Sequence, residues 1–296
     1  MKKSTYVLIG LFVVLLVAAF LVLQKPGEQS ASSASSGFLA SIDSVSVDKI
    51  EINTPTSSVI LEKRGVEWYI VEPLNYKANQ VNVGQILHQL KNLEVKSTVS
   101  SKPEKHSVFQ VDKNGTEVKV FEQGAEKASF ILGKMAASYT ESYVRKLNSD
   151  DVLLVEGASG YMFNRPVKEW RDKTIFTAPK ESIKEVQYHY GDTTFSLALK
   201  DSTWFVGKEK AQQSVVNGIL TSLSSLQADD FVDSTITPKI MATVLYTGIQ
   251  VRFSLNKTTN KYAVQSSNSP QWFILEPWKA GQILKRKKEI TELGKN

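Results

Sequence analysis

Three histidines, His88, His106 and His189, are the side chains best suited to binding a metal or moving a proton near neutral pH. None is joined to a second histidine by the i, i+4 spacing that sets two ligands on one helix face, so no metal site is expected. The chain has no cysteine, which removes zinc-thiolate and iron–sulfur sites, thiol nucleophiles, disulfides and lipidation at a cysteine. Serines are plentiful, yet there is no Gly-x-Ser-x-Gly elbow, and no Ser-x-x-Lys spacing is accompanied by the Ser-Asp-Asn and Lys-Thr-Gly motifs that complete the set able to activate one. Neither a Gly-x-x-x-x-Gly-Lys phosphate cradle nor a Gly-x-Gly-x-x-Gly turn is present, and no cofactor is expected. The acid pairs Asp150-Asp151 and Asp229-Asp230 stand where turns or strand ends are expected, so they read as solvated turn acids. Glycosidase chemistry would need two carboxyls converging in space across a substrate, which adjacency in sequence does not supply.

Two clusters suit binding better than catalysis. The segment from Asn164 to Ile175 contains Trp170-Arg171-Asp172-Lys173, which either docks a partner or pins a connection by an ion pair and aromatic packing. Near the C-terminus, Lys285-Arg286-Lys287-Lys288 would suit anionic lipid headgroups or nucleic acid. Ile283, Leu284, Ile290 and Leu293 around it, with Glu289 and Glu292, equally describe the solvated face of a helix.

The elements that carry these residues are legible from hydropathy. Charged residues make up 22% and apolar residues 42% of the 296, a globular balance, so most of the chain folds in water. The exception follows residues 1–4: Thr5 to Leu23 carries no charge, and at 1.5 Å per residue its roughly 28 Å of helix matches a bilayer core. Lys2 and Lys3 precede it, so the positive-inside rule puts residues 1–4 in the cytoplasm and all that follows Leu23 outside. A cleavable signal peptide is the alternative, but its shorter apolar run would be followed at once by small residues, whereas Gln24-Lys25-Pro26-Gly27-Glu28 come next. Residues 24–46 read as a tether rich in Ser, Ala and Gly. This predicts a single-pass membrane protein with an extracytoplasmic domain, for which a nucleic-acid partner is not expected.

The soluble part reads as one pattern met twice, over residues 47–177 and 178–296. In the first copy Ile50 and Ile52 alternate, Val59-Ile60-Leu61 follows, and Trp68-Tyr69-Ile70-Val71 closes a third strand. A helix with Val83, Ile86, Leu87, Leu90 and Leu93 on one face comes next. In the second copy Val186, Tyr188 and Tyr190 alternate, Phe195, Leu197 and Leu199 follow, then Trp204-Phe205-Val206 and a helix bearing Val216, Ile219, Leu220, Leu223 and Leu226. The helix positions correspond at a displacement of 133 residues and the tryptophans at 136. Beyond the helix, Val118 and Val120 are matched with Val251 and Phe253, Tyr143-Val144 with Tyr262-Ala263, and Leu154-Val155-Glu156 with Ile274-Leu275-Glu276. That matching leaves about fourteen extra residues around Phe130-Ile131-Leu132-Gly133 in the first copy, read as an added hairpin strand. The expected architecture is α+β: an N-terminal transmembrane helix and two tandem copies of a mainly antiparallel β-sheet module with a packed helix.

The Lys49-Ile50-Glu51-Ile52 strand, Trp68-Tyr69-Ile70-Val71-Glu72-Pro73, the helix ending at Leu93, Tyr143-Val144-Arg145 and Trp170-Arg171-Asp172-Lys173 together resemble domain-of-unknown-function family 4340 over nearly the whole soluble chain. The sequence departs from that family's pattern after the first helix, where Ser107-Val108-Phe109-Gln110-Val111 stands in place of a Tyr-Gly-Leu-like turn. Members of the family are typically bacterial, often carry an N-terminal membrane helix and are commonly encoded beside ABC-type transporter components related to gliding-motility export systems. The resemblance implies a bacterial inner-membrane protein with an accessory extracytoplasmic role and an ABC-type permease or companion subunit as partner, and carries over no catalytic residue; with the anchor, the tether and the missing catalytic motifs, a non-enzymatic module is expected. A second class stays open: an envelope enzyme or ligand-binding protein for cell-wall or carbohydrate material, whose acids converge only in three dimensions.

Overall fold

The computed structural model describes residues 42–234 and 236–291. The apolar stretch Thr5–Leu23 and most of the tether lie outside these residues; among those described, no helix is long and apolar enough to cross a membrane. The described residues form two compact units, divided between Trp170 and Arg171.

The first unit runs β1 (Val47–Asn53), β2 (Ser58–Arg64), β3 (Glu67–Glu72), β4 (Tyr76–Lys77), helix α1 (Gln80–Lys91) and β5 (Glu94–Ser100). A short helix α2 (His106–Phe109) precedes β6 (Thr116–Glu122), β7 (Ala125–Met135), β8 (Glu141–Lys146) and β9 (Val152–Glu156), and α3 (Gly160–Phe163) and α4 (Val167–Trp170) close the unit. All nine strands join one antiparallel sheet in the order β4-β3-β2-β1-β6-β7-β8-β9-β5.

That order has a mechanical consequence, because α1 leaves one edge strand and delivers the chain to the other. Eight spacings of about 4.8 Å would make a flat sheet roughly 38 Å wide, whereas a twelve-residue helix is only about 18 Å long. The sheet therefore curls around the helix. Val83, Ile86 and Leu90, fully buried on the inner stripe of α1, share one cluster with Ile50, Leu61, Ile70, Val118, Val120, Phe130, Val144 and Val155. The helix starts where the Asn79 side chain accepts the backbone N–H groups of Val81 and Asn82. Gln80 ties that start to β3 by accepting the N–H of Trp68 at 2.9 Å and donating to the Trp68 carbonyl at 3.0 Å.

The second unit opens with β10 (Thr174–Thr177), followed by β11 (Glu185–Tyr190), β12 (Thr193–Lys200), β13 (Thr203–Val206), β14 (Glu209–Lys210), helix α5 (Gln213–Ser224), β15 (Ser225–Gln227) and β16 (Asp230–Phe231). Next come β17 (Ala242–Tyr246), β18 (Ile249–Asn256), β19 (Lys261–Ser266), β20 (Phe273–Leu275), α6 (Pro277–Ile283) and α7 (Lys287–Thr291). Its nine-stranded sheet has the order β14-β13-β12-β11-β17-β18-β19-β20-β16, and β10 pairs separately with β15. Mostly antiparallel sheets, each with a helix against it, make the chain α+β.

Strand for strand the two orders correspond, and so do the registers. Ile50 faces Leu61 and Ile52 faces Val59, while Val186 faces Leu197 and Tyr188 faces Phe195. The Ala78 N–H donates to the Trp68 carbonyl at 2.9 Å and the Ala211 N–H to the Trp204 carbonyl at 2.8 Å. Beyond the helix the structure corrects the sequence matching. Val118 lies between Ile52 and Phe130, and its positional counterpart is Val244, between Tyr188 and Val251. Phe130-Ile131-Leu132 is therefore no added strand: it corresponds to β18, and the strand overlooked was β17. Its signal was Ala242, Val244 and Tyr246, buried at period two before the Thr247-Gly248 turn. Val144 faces Leu153 and Val264 faces Phe273, so Tyr143-Val144 corresponds to Ala263-Val264, one position further along.

The departure after the first helix also has a geometric account. In the Ser107–Val111 segment Gln110, at φ +56°, takes the left-handed conformation that closes α2 and that glycine adopts most readily.

The second core holds three buried tyrosines. Tyr188 and Tyr246 have hydroxyls without a hydrogen-bond partner, while the Tyr190 hydroxyl donates to the Lys285 carbonyl at 2.9 Å. Burial pushes the Tyr188 and Tyr246 phenols far above their ordinary range, and Tyr190 up to about 12 despite the nearby Arg286 charge. Because the folded values exceed the unfolded one near 10, this stabilisation is whole below about pH 10 and is lost as pH rises through about 12. Tyr188→Phe keeps the ring and removes the ionisable hydroxyl, so denaturant melts from pH 9 to 11 should show a smaller alkaline loss than wild type; an identical loss would refute the assignment.

Candidate functional site

The chemistry-bearing residues are dispersed over the fold. His88 lies at the last turn of α1 beside the Asn92 side chain, His106 contacts the Asp150 carbonyl through Nε2 at 3.0 Å, and His189 contacts the Thr194 hydroxyl at 3.2 Å. Among the described residues no three His, Cys, Asp or Glu side chains gather into a possible metal site. The acid pairs have local partners: Asp151 accepts from the Ser101 hydroxyl, Asp229 forms an ion pair with Lys279 at 2.6 Å and accepts the Glu276 N–H, and Asp230 accepts the N–H of Phe231.

The boundary between the units falls within the Trp-Arg-Asp-Lys segment, after Trp170. Trp170 is fully buried in the first core, and its carbonyl accepts the Asn79 N–H at 2.7 Å, which fastens α4 to the start of α1. Arg171 belongs to the second unit and is 5% exposed. Its guanidinium lies 3.6 Å over the Phe231 ring, donates to Asp233 at 2.6 Å and to the Gln271 side-chain oxygen at 3.0 Å. A planar cation suits this position because it stacks with its face while donating from its rim, which an ammonium cannot do. Asp172 accepts the Thr174 N–H, and the Lys173 carbonyl accepts from Ala228. Trp170 and Arg171 thus offer a partner almost no surface.

The basic run is likewise partly engaged. Arg286 stacks on the Tyr190 ring at 3.8 Å, Lys287 pairs with Glu209 at 2.6 Å, and the Lys285 carbonyl receives the Tyr190 hydroxyl. Glu289 caps the turn by accepting the Arg286 N–H at 2.7 Å. Lys288 is exposed. Two cations held to the fold and two acids beside them make this a mixed surface rather than a cationic patch.

A concave surface in the first unit was not legible from sequence. Its wall is the outer face of α1, opposite the core stripe, and α3, α4 and the residues between them form the other side. A cavity of about 320 Å³ is lined by Asn82, Gln85, Tyr161, Asn164, Arg165 and Glu169, with Met162 between it and a second depression of about 390 Å³ along Val81, Gly84 and His88. Asn82 donates to the Glu169 carbonyl at 2.6 Å, and Arg165 donates through one nitrogen to Gln85 at 2.6 Å and to the Met162 sulfur at 2.7 Å. Val81 and Tyr161 are 69% and 76% exposed at its rim. The segments that meet here are about eighty residues apart, and helical periodicity marks only the buried stripe of α1.

The geometry defines a protein of two helix-filled antiparallel sheets with a surface groove on the first. The family model described as a domain of unknown function (DUF4340) matches residues 68–242, from β3 of the first unit to the start of β17 in the second, and the chain belongs to this family. No curated protein and no solved structure matches the chain.

Proposed function

We propose that the chain is a membrane-anchored, extracytoplasmic and non-enzymatic accessory module that serves an ABC-type transporter or an envelope assembly, built from tandem copies of one helix-filled sheet. The observation that carries this reading is the contrast between the groove and the rest of the molecule. Histidines and paired acids are scattered and engaged in local bonds, whereas exposed Val81 and Tyr161 stand beside a concave surface that also holds a cation. Surfaces of mixed apolar and charged character suit recognition of a partner. The charge-free run Thr5–Leu23 supports the anchor, and residues 24–46 would keep the folded part close to the bilayer.

Placement is tested by fusing to Asn296 a reporter active only outside the cytoplasm. An active fusion on a chain that retains its N-terminal residues is expected. An inactive fusion, or a mature N-terminus beyond Leu23, would remove the anchor from the account.

A further inference from the structure

The groove on the first unit contains a cation, Arg165, that forms no ion pair, although Glu169 lines the same cavity. Arg165 is half-buried, and its two hydrogen bonds, to the Gln85 oxygen and the Met162 sulfur, both leave from the same terminal nitrogen and both end on neutral atoms. No carboxylate of the described residues lies within ion-pairing distance of its guanidinium, whereas Arg171 has Asp233 at 2.6 Å. The other terminal nitrogen and Nε make no hydrogen bond to the described residues. Its underside faces the Trp170 ring at 5.5 Å, which further limits access of water. Loss of water around the guanidinium depresses its pKa, and the nearby Glu169 carboxylate offsets this only in part. A planar cation with unused donors is a receptor for a carboxylate.

The neighbouring surface says what should accompany that carboxylate. One turn of α1 away from Gln85 lies Val81, largely exposed, and between them Gly84 leaves open space where a side chain would otherwise stand. Val81, Gly84 and Met162 thus make an apolar seat roughly 5–6 Å, one helical pitch, from the Arg165 end of the groove. An apolar seat beside a receptor for one negative charge matches a short polypeptide segment with an apolar side chain next to an acidic one.

We propose that this groove is the docking site for an acidic–apolar segment of a partner protein, its carboxylate on Arg165 and its apolar side chain on Val81, Gly84 and Met162. This rests on the reading of the chain as an interaction module and names the surface and the partner's chemistry. The test uses the full-length chain in native membranes with a photo-crosslinking amino acid at Val81 or Tyr161 on the groove, or at Trp278, which is 66% exposed on the second unit. Adducts from Val81 and Tyr161 should map to one partner segment containing Asp or Glu beside an apolar residue. Arg165→Glu should reduce their yield about tenfold or more, while Arg165→Lys keeps most of it. Matching thermal melts of the Arg165 variants and wild type show that the fold is retained. A partner captured at Trp278 but not at Val81 or Tyr161 would overturn the groove and leave the module reading standing. Groove adducts insensitive to Arg165→Glu, or mapping to a segment without an acid, would also overturn it, and no partner at any position would remove both.

Discussion

Replacing Trp170 by alanine is expected to destabilise the first unit by about 3–5 kcal/mol, the range for removing a fully buried large aromatic. The indole has no exposed surface, lies in the same cluster as Leu90 and Phe163, and supports the short helix whose last carbonyl receives the Asn79 N–H. Truncation leaves that carbonyl in place but removes the ring that positions it, so the start of α1 loosens together with the core. Chemical denaturation of the variant against wild type measures the loss. Trp278→Ala, at a residue 66% exposed, should change stability by no more than about 0.5 kcal/mol. Equal effects at the two tryptophans would contradict the assignment of Trp170 to the core.

A smaller chemical change has the second large effect. Gly133→Ala adds one carbon where the chain has no room: a Cβ there would lie 2.3 Å from the Phe109 carbonyl oxygen and 2.7 Å from a Val111 methyl. The first obstacle is backbone, so relief requires the Phe109–Val111 loop to lift off the sheet, at a cost of about 1–3 kcal/mol or more. Lifting it exposes Val111, which packs with Ile131 and Val152, and breaks the bond from Arg145 Nε to the Val111 carbonyl at 2.9 Å. Faster amide exchange at Val111, whose N–H donates to the His106 carbonyl, should accompany the lost stability. Gly84→Ala provides the opposite case. Nothing lies within 4 Å of its missing Cβ in the middle of α1, and alanine there should stabilise by about 0.5–1 kcal/mol.

The strands before each helix and the helix stripes were legible because one face of each is buried: Ile50, Ile52, Trp68 and Ile70 alternate, and Val83, Ile86 and Leu90 recur at helical spacing. Strand β5 carries no such signal, since at the sheet edge its residues are half-buried at most. β4 has only two residues, too short for any period. The strand order was hidden for a different reason. Periodicity reports which face is buried but not which strand is the neighbour, so nothing local shows that β5 returns to pair with β9 at the far edge. β17 was overlooked because matching used hydrophobic pairs alone, and Val118-x-Val120 fits Val251-x-Phe253 as well as it fits Val244-x-Tyr246. Of the candidate binding residues, the Trp-Arg-Asp-Lys segment is visible in sequence as an unusual cluster and proves to be built into the two units. The groove is not visible at all, because Gln85 and Arg165 meet only after the sheet has curled around α1.

A protein partner at the membrane is the central expectation for this chain. Chemical crosslinking of the untruncated protein in its native membranes, followed by identification of what it carries, addresses this most directly. Recovery of an ABC-type permease or a companion subunit of such a transporter is the predicted result. A chain recovered alone, together with saturable binding of a small cell-wall or carbohydrate ligand, would contradict it.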